Sequence, residues 1–237
     1  MPIIACSSAL FVFCHINMKI REINSRIQYI LKNDGFLALC RRCLSFIGNR
    51  IFKYEEFAIH LHYPSNIRKF KEVDFTPAVD SFDFLLIKDN AEADRFEAQG
   101  FEFRSRIFRA REALEAGGVA LTVFIGKQIA SINWLAFNKK VQAILGEPPI
   151  KIDFAARESI TSGAQTLTEF RGKRLFAYTM FKSREILHEY GILRDWGLTS
   201  RNNSASGSTV EKFQPDFKGY GCWLHILGLQ FYWERRI

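Results

Sequence analysis

The sequence TLTEFRGKRLFAYTMF, residues 166–181, decides the fold because a strand pattern ends and a helix pattern begins within it. The strand pattern occupies residues 151–167, as one strand or a pair, and the helix pattern continues to Tyr190. A short strand pattern follows at residues 195–200. Two strands of one sheet that are joined through a helix run parallel. The segment therefore predicts a parallel strand pair with a helical connection.

The turn between that strand and that helix is Arg171-Gly172-Lys173-Arg174. The free N–H groups and the partial positive charge of a helix N-terminus stabilise a phosphate placed there. Gly172 allows a ligand to approach the backbone closely, and the three basic side chains add positive charge. A P-loop fits poorly, because Arg174 stands where that motif has Ser or Thr. The turn is therefore either an anion site of another kind or an ordinary connection between two elements.

The rest of the chain contains further strand and helix patterns. Predicted strands cover residues 56–62, 82–87, 119–125 and 128–134, and residues 219–233 form a long strand or a hairpin. Predicted helices cover residues 91–99, 104–115 and 205–213, and residues 145–150 form a loop. Gly126 and Lys127 are placed to make the turn of an antiparallel hairpin. The order predicts a sheet that contains both parallel and antiparallel neighbours.

The composition is that of a soluble globular protein, with 48% hydrophobic and 24% charged residues in a chain of 237. Lys and Arg number 33 against 25 Asp and Glu, which gives a formal net charge of +8. This charge favours anionic partners, such as phosphorylated cofactors, nucleic acid or an acidic membrane surface. Charge alone does not choose among them.

The five cysteines are too few and too scattered for a disulfide framework, which suggests a reducing compartment and a cytoplasmic location. Cys40 and Cys43 have C-x-x-C spacing but lie inside an apolar helical pattern. His60 and His62 are too close together for the usual zinc-binding histidine pair, and no second C-x-x-C follows. We therefore expect no metal, and a solvated or partly packed strand face accounts for the two histidines.

The predicted N-terminal extension, residues 1–75, consists of amphipathic helices and one strand. Residues 18–52 have the pattern of two helices separated by a break at residues 33–35. Translation that begins at Met18 would make residues 1–17 dispensable. The basic rim of the helices allows peripheral membrane contact through residues 20–53, although packing on the chain's own domain is the favoured interpretation.

The turn and its surroundings resemble the coenzyme A pyrophosphate loop of the GNAT superfamily, the acetyl-coenzyme A dependent N-acetyltransferases. That family has the pattern Gln/Arg-x-x-Gly-x-Gly/Ala between a strand and a helix, and residues 169–174 here read EFRGKR. The short strand at 196–200, the segment Asn203-Ser-Ala-Ser206 and the hairpin around Gly126 follow the family's order. The resemblance covers roughly residues 82–233.

The resemblance implies an α+β fold: a central mixed, mostly antiparallel sheet flanked by helices, spanning residues 76–237 after the N-terminal helical extension. It implies acetyl-CoA or another acyl-CoA as co-substrate and direct transfer of the acyl group to an amine in a ternary complex. It also implies that the pantetheine arm lies between two separating strands. The cofactor-binding residues that it implies are Thr166, Leu167, Arg171, Gly172, Lys173, Arg174, Leu175, Phe176 and Asn203.

Catalysis of this kind needs a base for the acceptor ammonium and a proton donor for the departing thiolate. Glu158 is the candidate base, ahead of Asp153, although a solvated strand residue is an equally good interpretation of Glu158. Val210 stands where many family members have a tyrosine that protonates the departing thiolate. Ser206 is therefore the candidate acid, and Ser208 and Tyr220 are its alternatives.

Two other classes of function stay open at this point. A catalytically silent GNAT-like binding module is suggested by Val210, and by Arg174 at a position where the family has Gly or Ala. A membrane-surface or nucleic-acid binder is suggested by the basic N-terminal helices, although we expect no nucleic-acid partner. The sequence identifies neither the amine acceptor nor the oligomeric state.

Overall fold

The computed structural model describes residues 52–227 and 229–237, together with scattered helical positions between residues 24 and 44. The two predicted N-terminal helices fall partly on those positions. Met18 and residues 1–17 lie outside the described residues. In the described part of the chain, no helix combines the length and the apolar character that a bilayer crossing requires.

The described residues form one eight-stranded sheet, which is mixed and mostly antiparallel. The strands are β1 (Phe52–His62), β2 (Asp83–Ile87), β3 (Val119–Ile125), β4 (Gln128–Ala136), β5 (Glu158–Thr166), β6 (Arg194–Ser200), β7 (Asp216–Ile226) and β8 (Leu229–Arg236). Their order is β2-β3-β4-β5-β6-β1-β7-β8, and β5 and β6 form a parallel pair whereas the other neighbours are antiparallel. The predicted fold class and parallel pair are thereby confirmed.

Between residues 52 and 237, the described chain forms five α-helices that cover the two faces of the sheet. They are α1 (Asn90–Ala98), α2 (Ala110–Glu115), α3 (Lys139–Ile144), α4 (Leu175–Glu189) and α5 (Ser204–Glu211). The first three pack with Ala120, Phe124 and Ala136 on one face, whereas α4 packs with Leu121 and Leu135 on the other, and α5 packs beside α4. Side chains of consecutive strand residues point to opposite faces, so the helices on each face cover a different set of side chains.

The structure corrects one predicted helix and adds another. The helix predicted at 104–115 begins only at Ala110, because the buried guanidinium of Arg104 binds the carboxylates of Asp94 and Glu97 and holds the chain in a turn. The helix α3 was not predicted. Its first turn is capped by Asn138, whose Oδ1 accepts a hydrogen bond from the N–H of Val141 at 2.9 Å.

The strand β1 lies inside the sheet, although the sequence placed it in an N-terminal extension. It pairs antiparallel with β6 on one edge and with β7 on the other. Its residues Phe57, Ile59 and Leu61 are buried in the same apolar cluster as Trp196 of β6 and Trp223 of β7. The first described strand in the sequence therefore joins the two parts of the sheet, with β2 to β6 on one side and β7 and β8 on the other.

Replacement of Ile59 by Ala should lower the free energy of unfolding by about 2–5 kcal/mol, because the residue is fully buried between two neighbouring strands. Urea denaturation measures this change. The control is Val73→Ala, at a position that is 70% exposed, where we expect a change below about 0.5 kcal/mol. Equal effects of the two changes would contradict the central position of β1.

Candidate functional site

The strands β5 and β6 separate partway along the sheet. They are paired only from Glu158 with Arg194 to Thr161 with Gly197. Beyond that point β5 continues to pair with β4 as far as Thr166, and β6 continues to pair with β1 as far as Ser200. Each strand therefore presents an edge without a strand partner to the gap between them. Such edges offer backbone N–H and C=O groups to a ligand that enters the gap.

A cavity of 570 Å³ opens at this gap, and we call it the turn cavity because the predicted Arg171–Arg174 turn forms part of its wall. The end of β5, the first turn of α4 and the helix α5 complete the lining. The charged side chains that the described residues contribute are Arg171, Arg174 and Lys212, and no carboxylate of the described residues lines the cavity. A wall with three cations and no anion favours a polyanionic ligand.

The helix α4 presents unused backbone donors to the turn cavity. Its N-cap residue, Arg174, makes no side-chain capping hydrogen bond, and Leu175, Phe176 and Ala177 of the first turn line the cavity. The first N–H groups of a helix have no partner within the helix, so they are available to an anion. The N-terminus of α4 and the basic wall therefore favour the same kind of ligand.

The turn has a backbone conformation that suits glycine at two positions. Gly172 has φ +77°, and a β-carbon at that position would have no atom within 4 Å. Arg174 has φ +60°, which lies in the left-handed region. Its position in the sequence is the one at which the GNAT pattern has Gly or Ala. The exposed side chain of Arg174 lines the cavity, whereas Lys173 lies over the ring of Phe170 at 5.4 Å and does not line it.

Thr166 and Leu167, the two pantetheine contacts predicted at the end of β5, differ in how far they are available to a ligand. Thr166 lines the turn cavity. The N–H of Leu167 donates to the carbonyl of Ala130 at 3.0 Å, so this group is already bonded within the protein. Asn203 lies on the opposite wall, where its Oδ1 accepts from the N–H of Ser206 at 3.1 Å and caps α5.

A second cavity, of 250 Å³, adjoins the turn cavity, and we call it the central cavity. The two cavities share Ala164, Phe176, Asn203 and Ser206 in their linings. Residues from both sheet faces line the central cavity, because it occupies the gap between β5 and β6. Those with polar or charged groups include His60, His62, Asn133, Glu147, Ser162 and Arg184.

Ser206 lies at the junction of the two cavities, where it is half-buried in the first turn of α5. Val210, one helical turn later, is buried and lines the central cavity. The two alternatives to Ser206 lie elsewhere. The hydroxyl of Ser208 donates to the carbonyl of Ser204 at 3.0 Å, and Tyr220 is exposed and lines neither cavity.

Glu158, the carboxylate that the sequence favoured as a base, lines neither cavity. It is buried in a network with three other residues. One carboxylate oxygen lies 2.7 Å from the Arg194 guanidinium, and the other accepts hydrogen bonds at 2.9 Å from the Trp196 indole and from the Asp153 N–H. This network fixes the start of β5, which favours a structural role for Glu158.

Two carboxylates of the described residues line the central cavity. Glu55 of β1 is paired with the Lys53 ammonium at 2.8 Å, whereas Glu147 lies next to β5. Glu147 follows α3, in the loop Gly146-Glu147-Pro148-Pro149, and its Oε1 accepts from the N–H of Gly163 at 3.2 Å. Burial raises the pKa of Glu147 to about 7, although the Gly163 N–H opposes this rise. A single carboxylate in a loop of glycine and proline is a weak sequence signal, and Glu147 was not predicted as a site residue.

His60 and His62 line the central cavity from β1 on the same face, and His60 is half-buried, as expected of a partly packed strand face. His62 is buried beside Gly197, and burial together with the charge of Arg184 lowers its pKa well below the usual range. His60 has a buried Nδ1 without a hydrogen-bond partner. Among the described residues, no group of three or more His, Cys, Asp or Glu side chains is placed to hold a metal ion.

The chain matches no protein-family model, and no curated protein matches it in sequence. Similar solved structures include a GCN5-related N-acetyltransferase-like protein of Streptococcus suis, with 15% identity, a TM-score of 0.44, and coverage of 82% of this chain and 67% of that one. A Drosophila protein has 8% identity and a TM-score of 0.47, with coverage of 81% and 58%. A GCN5-related N-acetyltransferase of Kribbella flavida has 12% identity and a TM-score of 0.35, with coverage of 65% and 52%.

This chain therefore spans less than two thirds of the length of the Drosophila and Kribbella proteins.

Proposed function

We propose that this chain is an acyl-CoA dependent N-acyltransferase that transfers an acyl group, such as acetyl, directly to an amine. The observation that carries the proposal is the N-terminus of α4, which has no side-chain cap and faces a cavity to which residues 52–237, as far as described, contribute three cations and no carboxylate. The GNAT resemblance assigned the same turn to the pyrophosphate. The gap between β5 and β6 leads from this cavity to a second one that contains Glu147.

The residues of the turn cavity fit a coenzyme A molecule. The amides of Leu175, Phe176 and Ala177, with Arg171 and Arg174, would hold the pyrophosphate. The free edges of β5 and β6 would bond the amide groups of the pantetheine arm, as one strand bonds another. Acyl-CoA supplies a thioester, which an amine nucleophile can cleave.

The central cavity would bind the acceptor and complete the chemistry. Glu147, ionised above about pH 7, accepts a proton from the acceptor ammonium so that the neutral amine can attack. Asn133 would donate a hydrogen bond to the developing oxyanion, since its Nδ2 has a weak partner in this structure, Met180 Sδ at 3.7 Å. Ser206, at the junction of the cavities, is placed to donate a proton to the departing thiolate.

A second candidate is a GNAT-like module that binds acyl-CoA without turnover. The buried, apolar Val210 favours it, because the position lines the central cavity and carries no acidic group. Release of free thiol from acetyl-CoA in the presence of an amine panel separates the two functions. The membrane- or nucleic-acid-binding alternative concerns residues 20–53, most of which lie outside the described part of the chain.

Replacement of Gly172 by Asp should weaken coenzyme A binding about 100-fold or more, because like charges about 4 Å apart near a protein surface repel by about 4 kcal/mol. Isothermal titration calorimetry measures the affinity. Gly126→Asp is a matched control: Gly126 also has a positive φ, +62°, and open space around its α-carbon, and it lies in the β3–β4 turn. If both variants bind like the wild type, the assignment of the phosphate site is wrong.

For Glu147→Gln we expect a loss of kcat/KM of about 100- to 10,000-fold, as for removal of a general base. In the wild type, kcat/KM should fall as the pH drops below about 7, because protonated Glu147 cannot accept a proton. The variant should lose this limb of the pH profile.

The comparison variant for Glu147 is Glu158→Gln, which removes the other candidate carboxylate. Its buried ion pair with Arg194 predicts a lower melting temperature, whereas the limb near pH 7 should persist. The opposite pattern, with the fall of kcat/KM below pH 7 lost in Glu158→Gln and kept in Glu147→Gln, would identify Glu158 as the base.

A further inference from the structure

Arg184 is a buried cation at the wall of the central cavity. It belongs to α4 and is 3% exposed. Its Nη1 donates to the carbonyl of Met180 at 3.1 Å and to the hydroxyl of Ser183 at 2.8 Å, and the guanidinium lies 5.0 Å from the centre of the Phe213 ring. All of these partners are neutral.

The charge of Arg184 has no close counter-ion. No carboxylate of the described residues lies within 4.0 Å of it, and its buried Nε has no hydrogen-bond partner. Asp195 exerts a longer-range attraction, but its two carboxylate oxygens already accept hydrogen bonds at 2.7 Å from the hydroxyls of Ser159 and Thr161. Burial lowers the pKa of Arg184 to about 10, a value at which it remains charged at neutral pH.

Arg104 is a second buried arginine of the described chain, and its guanidinium has a structural role. It is 5% exposed, close to the value for Arg184, and it binds the carboxylates of Asp94 and Glu97. A buried charge without a partner is costly and is retained where a ligand supplies the partner. The contrast between the two arginines points to an anionic ligand at Arg184.

A second polar group of the central cavity also lacks a partner among the described residues. His60 Nδ1 is buried without a hydrogen bond. Arg184 comes from α4 on one face of the sheet, whereas Glu147 comes from the loop after α3 on the other. Lys53 also lines the cavity, but its ammonium lies 2.8 Å from the Glu55 carboxylate, so Arg184 is the cation of the described lining that has no carboxylate partner.

We propose that Arg184 binds a carboxylate carried by one of the substrates of the central cavity. The proposal depends on the proposed acyl transfer. A carboxylate is the planar, bidentate partner that a guanidinium matches best. It can belong to the amine acceptor, as in an amino acid, or to the acyl group, as in a dicarboxylic acyl-CoA. A cavity of 250 Å³ suits a small substrate of either kind.

The test compares substrate pairs that differ in one carboxylate, with free thiol release as the assay. In the acceptor arm, acetyl-CoA is combined with β-alanine or with ethylamine. In the acyl arm, succinyl-CoA or butyryl-CoA is combined with one fixed amine. The wild type should prefer the carboxylate member in one arm by about 10- to 100-fold in kcat/KM, the range of a hydrogen bond to a charged group. The arm that shows the preference identifies the source of the carboxylate.

The variant Arg184→Met should lower kcat/KM for the carboxylate member about 10- to 100-fold more than for the member without the carboxylate, and Arg184→Lys should restore part of the preference. Arg95→Met, which changes an exposed arginine of α1, is the control and should keep the preference. An equal loss for both members of each pair in Arg184→Met would show a structural role and overturn the proposal.

Wild-type results decide the matter even if Arg184→Met does not fold. Absence of a preference in both arms, with transfer observed, overturns the carboxylate proposal and leaves the acyltransferase function intact. Absence of coenzyme A binding in calorimetry instead refutes the proposed function itself. The two failures are therefore distinguishable.

Discussion

The separation of β5 from β6 after four paired residues is the constraint on which the rest of the structure depends. In a continuous sheet, the two strands would satisfy each other's backbone groups along their whole length. Here β4 holds β5, and β1 holds β6, so the strands cannot come together again. The gap gives a ligand access to two strand edges and to the N-terminus of α4, and it connects the turn cavity to the central cavity.

The strand β1 links stability and site geometry. It fills the position between β6 and β7, and its side chains alternate between the two faces. Phe57, Ile59 and Leu61 join the apolar cluster of one face, whereas His60 and His62 point into the central cavity. The same alternation that anchors the strand in the core therefore supplies two imidazoles to the cavity that Arg184 also lines.

Most of the elements could be predicted from local patterns. The β3–β4 hairpin, the helix α4 and the parallel pair each have a signal within about 40 residues of chain, and each is confirmed. The position of β1 could not be predicted, because its partners β6 and β7 lie more than 130 residues away in sequence. The sequence favoured Glu158 over Asp153 as the base and did not bring Glu147 into consideration, because the contacts of Glu158 with the Trp196 indole and of Glu147 with the Gly163 N–H depend on how the strands pair.

We propose that the gap and the N-terminus of α4 form one site for acyl-CoA. A crystal structure of the protein with coenzyme A tests this proposal. We expect the pyrophosphate to lie against the amides of residues 175–177 and the pantetheine arm to lie between β5 and β6. Coenzyme A bound at another place, or a gap that remains empty at saturating concentration, would refute the proposal.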